Sequence, residues 1–294
     1  MISLMKFLKI FLYFIFIGNI ISIQLYEQYD IRDHYKCASF NDFRDQKYCK
    51  GCWAFAGAET ISDRICIDSG GKDQTLVSET ELLTCLSKYT DPTLKGCGGG
   101  NMAEGFKYWI NKGLPTKSCK PFPFGEKEKI ENHLNKLKCT IKCENSWKMP
   151  KDKGSFYRQI YGEEKIMEEI QTNGPVIATF EFYIDFHKFW KKSRSEIYEN
   201  KNGKKTNDYH SVKIIGWGSD IINGEIKKYW LCVNSWGTDD RQVFKFIRGI
   251  DNCGIESSVI TGYKTSKILK INNAPIIALE NEFYSFKNVK DDFK

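Results

Sequence analysis

The apolar residues change their spacing part-way along the chain. Within residues 46–112 they recur at the spacing of one face of an α-helix, so we predict that this stretch is mostly helical. From about residue 155 onward, a helical stretch at 163–173 is followed by short runs rich in β-branched and aromatic residues, which predict a small twisted sheet or barrel. These runs are 176–183, 212–216, 229–233 and 243–247. The two patterns together predict an α+β fold.

The first 23 residues have a different pattern. Lys6 and Lys9 precede an apolar run at 10–17, and small and polar residues close the segment, which is typical of a signal peptide. The run is shorter than the roughly 20 apolar residues that a membrane-spanning helix needs. We therefore expect a mature protein of the secretory route that has no membrane anchor once the leader is removed.

Composition divides the rest of the chain. Three cysteines and many charges fall within 117–150, which indicates a loop region held by disulfides. The tail carries several apolar residues, and we assign it no role. The expected segments are a signal peptide at 1–23, a mainly helical half at 24–154, a β-rich half at 155–264 and a C-terminal extension at 265–294.

Composition and charge exclude some classes of protein. With 41% hydrophobic residues in a chain of 294, a full-sized core can form, which argues against disorder. The net charge of +7 comes from lysines scattered among acids, without a stripe of basic and aromatic residues, so we do not expect a nucleic-acid partner. The 11 cysteines are an odd number, so at least one thiol lies outside any intramolecular disulfide.

Four residues are candidates for nucleophilic catalysis. Cys52 begins an apolar helical run, where the helix dipole favours the thiolate. Far downstream, His210 begins a predicted strand and Asn234 follows another. A thiol, an imidazole and an amide are the side chains of a Cys–His–Asn site, in which they act as nucleophile, base and orienting group. Gln46 precedes Cys52 and suits an oxyanion donor beside the Cys52 N–H. Taken singly, each of the first three has an ordinary structural interpretation, and the combination favours catalysis.

Three segments extend this pattern to a known family. Residues 46–66, 234–237 and 251–257 resemble the papain family of cysteine proteases, and most closely cathepsin B. The resemblance implies a helical left domain, a β-barrel-like right domain and an active-site cleft between them. It also implies that Cys52 is the nucleophile, His210 the general base and acid, Asn234 the orienter of the imidazole and Gln46 the oxyanion donor. Trp236 would shield the His–Asn hydrogen bond from water.

The resemblance also implies a disulfide pattern. The pairs are Cys37–Cys66, Cys49–Cys97, Cys85–Cys139 and Cys119–Cys143, which leave Cys52, Cys232 and Cys253 as thiols. Two other interpretations remain open. Cys49 and Cys52 have the Cys-x-x-Cys spacing of dithiol redox proteins. A zinc site would use these two together with Cys139 and Cys143, although structural zinc ligands usually lie closer in sequence.

The same resemblance indicates where substrate binds. The pocket for the second residue upstream of the scissile bond would be lined by Gly99, Gly100, Met102, Ser211 and Ser258. Ser258 stands where cathepsin B has a carboxylate, so we expect apolar side chains to be preferred over basic ones there. Asp208 is a possible source of replacement negative charge.

Several positions depart from the family pattern. Asp208 and Tyr209 replace a glycine pair, Lys50 replaces a glycine, and the second Trp-Gly after 234–237 is missing. Only a few residues separate Ile23 from Tyr29, where the family has a propeptide. We therefore expect either that folding needs no intramolecular inhibitor, or that another molecule assists folding and inhibits the enzyme. The missing propeptide, Tyr209 and the missing Trp-Gly support an alternative function, a papain-like binding protein without peptidase activity, whereas the presence of all four catalytic side chains opposes it.

One departure bears on the type of cleavage. Cathepsin B trims dipeptides with a disulfide-closed loop that carries two adjacent histidines, whereas 119–139 holds only His133. We therefore expect endopeptidase activity. The expected partners are polypeptide substrates and a protein inhibitor, the expected state is a monomer, and no metal or organic cofactor is needed. The expected location is a lysosome-like or digestive compartment, or the extracellular space.

Overall fold

The computed structural model describes residues 23–86, 96–123, 139–140, 142–143 and 149–264. The predicted signal peptide up to residue 22, the region of His133 and the C-terminal extension lie outside these residues. Within the described ranges, no helix is both long and apolar enough to cross a bilayer.

The described residues of the first half of the chain form three α-helices, α1 (Cys52–Asp68), α2 (Glu79–Cys85) and α3 (Met102–Lys112). Helix α1 is buried from its first residue to Cys66, because other elements pack around it on all sides. The hydroxyl of Ser78 caps the start of α2, and the Asn101 side chain caps the start of α3. Among the described residues, the predicted helical pattern therefore corresponds to three separate helices, and two of them pack against the central α1.

The second half of the chain forms most of the sheet. The helices here are α4 (Glu163–Asn173) and α5 (Ile184–Lys192). The strands are β1 (Tyr29–Asp30), β2 (Leu114–Pro115), β3 (Lys151–Asp152), β4 (Phe156–Ile160), β5 (Val176–Tyr183), β6 (Ile197–Tyr198), β7 (Lys205–Ile222), β8 (Glu225–Val233), β9 (Val243–Ile247) and β10 (Val259–Tyr263). Their order in the main sheet is β4-β10-β5-β7-β8-β9-β6, with β1 paired to β7.

Strand β7 is the central element of this sheet. It pairs antiparallel with β5 and β8 over most of its length, and Tyr29 of β1 pairs with Trp217 near its far end. Gly216 is required at that crossing, because a Cβ there would lie 1.9 Å from the carbonyl oxygen of Tyr29. The first half of the chain thus adds a strand to the sheet of the second half.

Buried charges join α1 to β7. The ammonium of Lys213, on β7, lies 2.8 Å from the Asp63 carboxylate and 3.7 Å from that of Glu59, both on α1. All three side chains are buried between two apolar clusters, one around the helices and one around the sheet. Because an unpaired buried charge is costly, these contacts fix how the helix lies against the strand. That position sets the geometry of the cleft.

Candidate active site

Cys52 lies at the point where the two halves of the molecule face each other. It is the first residue of α1, it is 9% exposed, and it lines an open cleft of about 800 Å³. The loop before it is anchored by the Cys49–Cys97 disulfide and by a hydrogen bond of 3.1 Å from Lys50 N to Cys97 O. The thiol therefore lies at a helix N-terminus whose position is fixed covalently.

His210 reaches the same cleft from strand β7. Its Nε2 lies 2.8 Å from Oδ1 of Asn234, which directly follows β8. Adjacent strands thus bring together two residues that are 24 positions apart. His210 lines the cleft, whereas Asn234 is 1% exposed behind it. The amide therefore fixes the orientation of the ring and leaves its other edge for chemistry.

Aromatic rings surround this histidine. The Trp236 ring centroid lies 4.8 Å from that of His210, and the Phe180 ring meets the imidazole edge-on at 5.7 Å. Both rings pack close to the buried hydrogen bond to Asn234. A hydrogen bond in such a low-dielectric environment is electrostatically stronger than one in water.

Gln46 connects the two walls beneath the cleft. Its Nε2 donates to Cys49 O at 2.7 Å, and its Oε1 accepts from the hydroxyl of Ser235 at 2.6 Å. Its backbone N–H also donates to Ser235 O at 2.8 Å. Because an amide nitrogen carries two hydrogens, one N–H of this cleft-lining side chain is still available to a ligand.

Burial shifts the pKa values of both reactive groups. Burial raises the pKa of the Cys52 thiol, and hydrogen bonds from Ser211 and Trp53 only partly oppose this. Burial also lowers the pKa of His210 to about 4, although the hydrogen bond to Asn234 acts in the opposite direction. Burial therefore disfavours both the thiolate of Cys52 and the imidazolium of His210 in this arrangement.

The predicted pocket residues share the cleft with Cys52. Gly99, Gly100, Met102, Ser211 and Ser258 all line it. Trp53 packs so closely on Gly100 that a Cβ there would lie 2.2 Å from the indole ring. The hydroxyls of Ser211 and Thr179 lie 2.9 Å apart. The structure thus brings all five residues to the same cleft.

The shortened segment after Trp236 folds back onto the site. The side chain of Gln242 accepts a hydrogen bond of 3.0 Å from Trp236 N, and its carbonyl accepts one of 2.9 Å from Asn234 N. Gln242 is itself buried. The turn that carries Asn234 and Trp236 is therefore held from both ends without the second Trp-Gly of the family.

Three contacts at or near the cleft have no signal in the sequence. Ser235 lies within the family-like segment 234–237, and no pattern in the sequence predicts its hydrogen bond to Gln46. His187 stacks on Trp236 with ring centroids 5.4 Å apart and lines the cleft. Its position on α5 followed from no motif. Lys50 and Asp208 were noted separately as departures, and the structure shows them in contact.

The cysteines form the four pairs that the resemblance implied. These are Cys37–Cys66, Cys49–Cys97, Cys85–Cys139 and Cys119–Cys143, while Cys52, Cys232 and Cys253 are free thiols. The Cys49–Cys52 bridge of a redox protein is therefore not formed. The four-cysteine zinc site is excluded as well, because three of its ligands are in disulfides.

Comparisons with known proteins agree with this geometry. The family model of the papain family cysteine protease matches residues 25–263. A gut-specific cysteine proteinase of Caenorhabditis elegans is 36% identical over 77% of this chain and 70% of its own length. The cathepsin B-like cysteine proteinase 6 of the same organism is 35% identical over 82% of this chain and 67% of its own length.

A solved structure supports the same assignment. Procathepsin B S9 from Trypanosoma congolense superposes with a TM-score of 0.69 at 28% identity, covering 83% of this chain and 78% of its own. The predicted α+β fold of the papain type is therefore confirmed. The chain belongs to the papain family of cysteine proteases and is a cathepsin B-like member of it.

Proposed function

We propose that this cysteine protease is an endopeptidase in which Cys52 is the nucleophile and His210 its base and acid. The observation that carries the proposal is the 2.8 Å contact between His210 Nε2 and Asn234 Oδ1, with the ring and the free thiol lining one cleft. Orientation of an imidazole by a third polar group is the arrangement that nucleophilic catalysis by a thiol requires.

Acylation begins from the neutral pair. His210 accepts the thiol proton as the sulfur of Cys52 attacks the peptide carbonyl, so charge develops only as the bond forms. The oxyanion accepts hydrogen bonds from the Cys52 N–H at the helix start and from the remaining N–H of Gln46. His210 then protonates the leaving amine as the C–N bond breaks, which leaves a thioester. Water hydrolyses the thioester with His210 as base.

The upstream specificity pocket favours apolar side chains in this proposal. Ser258 supplies no charge to the wall that it lines. Asp208 is engaged by the Lys50 ammonium at 3.0 Å, so its negative charge is partly neutralised. A basic substrate side chain would therefore gain little in this pocket, and an apolar one would bury surface against Met102.

The secretory route is the compartment that fits these features. Four disulfides persist in an oxidising environment, and the predicted leader directs the chain there. A relative described as gut-specific supports a digestive role. Polypeptides are the substrates of the protease family, and we propose a monomer under the control of a protein inhibitor.

Cleavage of matched peptides tests the proposal. One peptide has a blocked C-terminus, and the other has a free carboxylate two residues downstream of the scissile bond. We expect the purified chain to cleave the blocked peptide at least as well, with Cys52→Ala inactive and Cys232→Ala, a second buried free thiol, unaffected. Strong preference for the free carboxylate would refute endopeptidase action. Failure to cleave any peptide would favour the binding protein.

A further inference from the structure

A cation from one wall of the cleft contacts an anion from the other. Lys50 Nζ lies 3.0 Å from Asp208 Oδ1, and the two side chains are 62% and 59% exposed. Lys50 lies two residues before Cys52, and Asp208 lies two residues before His210. The ion pair therefore spans the cleft beside the proposed reacting groups.

The backbones that carry this pair are fixed, whereas the side chains are exposed to solvent. Lys50 N donates to Cys97 O at 3.1 Å, next to the Cys49–Cys97 disulfide. Asp208 N donates to the Thr206 hydroxyl at 3.1 Å. Exposed ion pairs are weak because water screens both charges, so a competing ligand group can replace either partner at small cost.

The charges that line the cleft include one lysine that an anionic ligand can engage by displacing Asp208. Among the described lining residues, the lysines are Lys47 and Lys50, and the carboxylate is Asp208. Lys47 is paired with Asp45 at 2.8 Å. Asp208 is paired with Lys50. A basic substrate side chain would therefore have to compete with Lys50 for the carboxylate of Asp208, because these lining residues include no other carboxylate. A substrate acid finds the ammonium of Lys50, which is held by a weak bond.

The position of Lys50 indicates which substrate residue it would meet. The preceding carbonyl, of Cys49, accepts the hydrogen bond from Gln46 Nε2, and Gln46 is the proposed oxyanion donor. Lys50 is thus the next residue in the loop that would face the scissile carbonyl. Its flexible four-carbon stem lets the ammonium follow a side chain that projects from that residue.

We propose that Lys50 determines specificity by binding an acidic side chain on the residue that supplies the scissile carbonyl. Before substrate binds, the Asp208 carboxylate pairs with the Lys50 ammonium, and the substrate carboxylate would replace it. The inference rests on the proposed endopeptidase function and adds a substrate preference to it.

The test compares peptides that differ only by Glu or Gln at that position. We expect kcat/KM to favour Glu by about two- to fivefold at low ionic strength, the range of an exposed ion pair, and the preference to shrink as salt is added. Lys50→Met should abolish the preference and Lys50→Arg should keep it. Asp208→Asn should increase it, because the competing carboxylate is gone. If the ion pair had only a structural role, Lys50→Met and Asp208→Asn would not change the preference for Glu in opposite directions.

Lys47→Met is the matched control, since it removes a neighbouring lysine and should leave the preference unchanged. Binding of both peptides to Cys52→Ala, measured by fluorescence, separates this inference from the proposed function. Tighter Lys50-dependent binding of the Glu peptide without cleavage by the parent chain would support the inference and refute the endopeptidase. The inference would be overturned if the Glu and Gln peptides were cleaved at equal rates and bound equally well. It would also be overturned if peptides with Lys at that position were preferred and Asp208→Asn removed that preference.

Discussion

The hydroxyl of Ser235 donates a hydrogen bond of 2.6 Å to Oε1 of Gln46. This bond fixes which end of the amide is the nitrogen, so Nε2 lies on the side of Cys49 and the cleft. The proposed oxyanion donor on one wall is therefore oriented by a residue adjacent to Asn234 on the other. Two of the proposed catalytic groups depend on one short turn.

Loss of that hydroxyl should reduce turnover more than binding. We expect Ser235→Ala to lower kcat by about three- to tenfold with little change in KM, the effect of one hydrogen bond on a group that acts in the transition state. Gln46→Ala should lower kcat by about 10²- to 10³-fold. Steady-state kinetics on a blocked peptide measures both. Ser69→Ala, which removes a bonded hydroxyl outside the cleft, should leave kcat unchanged. An equal loss in all three variants would contradict the account.

Gly100 should not tolerate a side chain. Because a Cβ would lie 2.2 Å from the buried Trp53 ring, we expect Gly100→Ala to destabilise the fold by about 1–3 kcal/mol and to lower kcat/KM. Gly98→Ala is the control, since no atom lies within 4 Å of its Cβ position. Denaturant unfolding and peptide cleavage measure the two effects. Equal behaviour of the two variants would show that Trp53 does not pack on Gly100 in this way.

The acid side of the pH profile should follow His210. With its pKa lowered to about 4, the imidazole is neutral above that pH and can accept the thiol proton. We therefore expect kcat/KM for an uncharged peptide to fall as the pH decreases through about 4. A midpoint near the ordinary value of 6.5 would contradict this lowered pKa of His210.

Glu59 should make stability depend on pH in the opposite sense to a paired surface carboxylate. Burial raises its pKa from 4.5 to about 7, although Lys213 and Arg44 act against this. Between pH 4.5 and about 7, the folded state therefore binds one proton more than the unfolded state does. The contribution of Glu59 to stability is lost as the pH rises through about 7.

The Glu59→Gln variant isolates this contribution. The free energy of unfolding of the variant, minus that of the parent, should rise between pH 4.5 and 8 by up to about 3 kcal/mol. Urea unfolding at several pH values provides the measurement. A difference that stays constant over this range would show that Glu59 titrates as an ordinary glutamate.

The spacing of apolar residues along the chain predicted some of the elements and missed others. The three helices of the first half and α4 were visible as spacing of apolar residues. Helix α5 was missed because Ile184 follows the aromatic end of β5 without any break residue. Strand β7 extends upstream of the predicted 212–216 because its first residues, 205–209, are polar and mostly exposed, so no apolar alternation marks them.

The candidate site divides in the same way. Cys52, His210 and Asn234 carry local motifs, so the residues and their resemblance to a family were readable from the sequence. The ion pair of Lys50 and Asp208 joins residues 158 positions apart. His187 reaches the cleft only because α5 places it against Trp236. Contacts of this kind depend on how two elements pack, which no local pattern records.

The most direct test of the account is covalent labelling of the thiols by a peptidyl epoxide. Incubation under mildly reducing, acidic conditions followed by peptide mapping should locate one adduct, on Cys52, and none on the buried Cys232 or on Cys253. The Cys52→Ala variant should take up no label, and the parent should lose peptidase activity in proportion to labelling. Absence of label on Cys52 in a folded, disulfide-intact chain would contradict its role as the nucleophile.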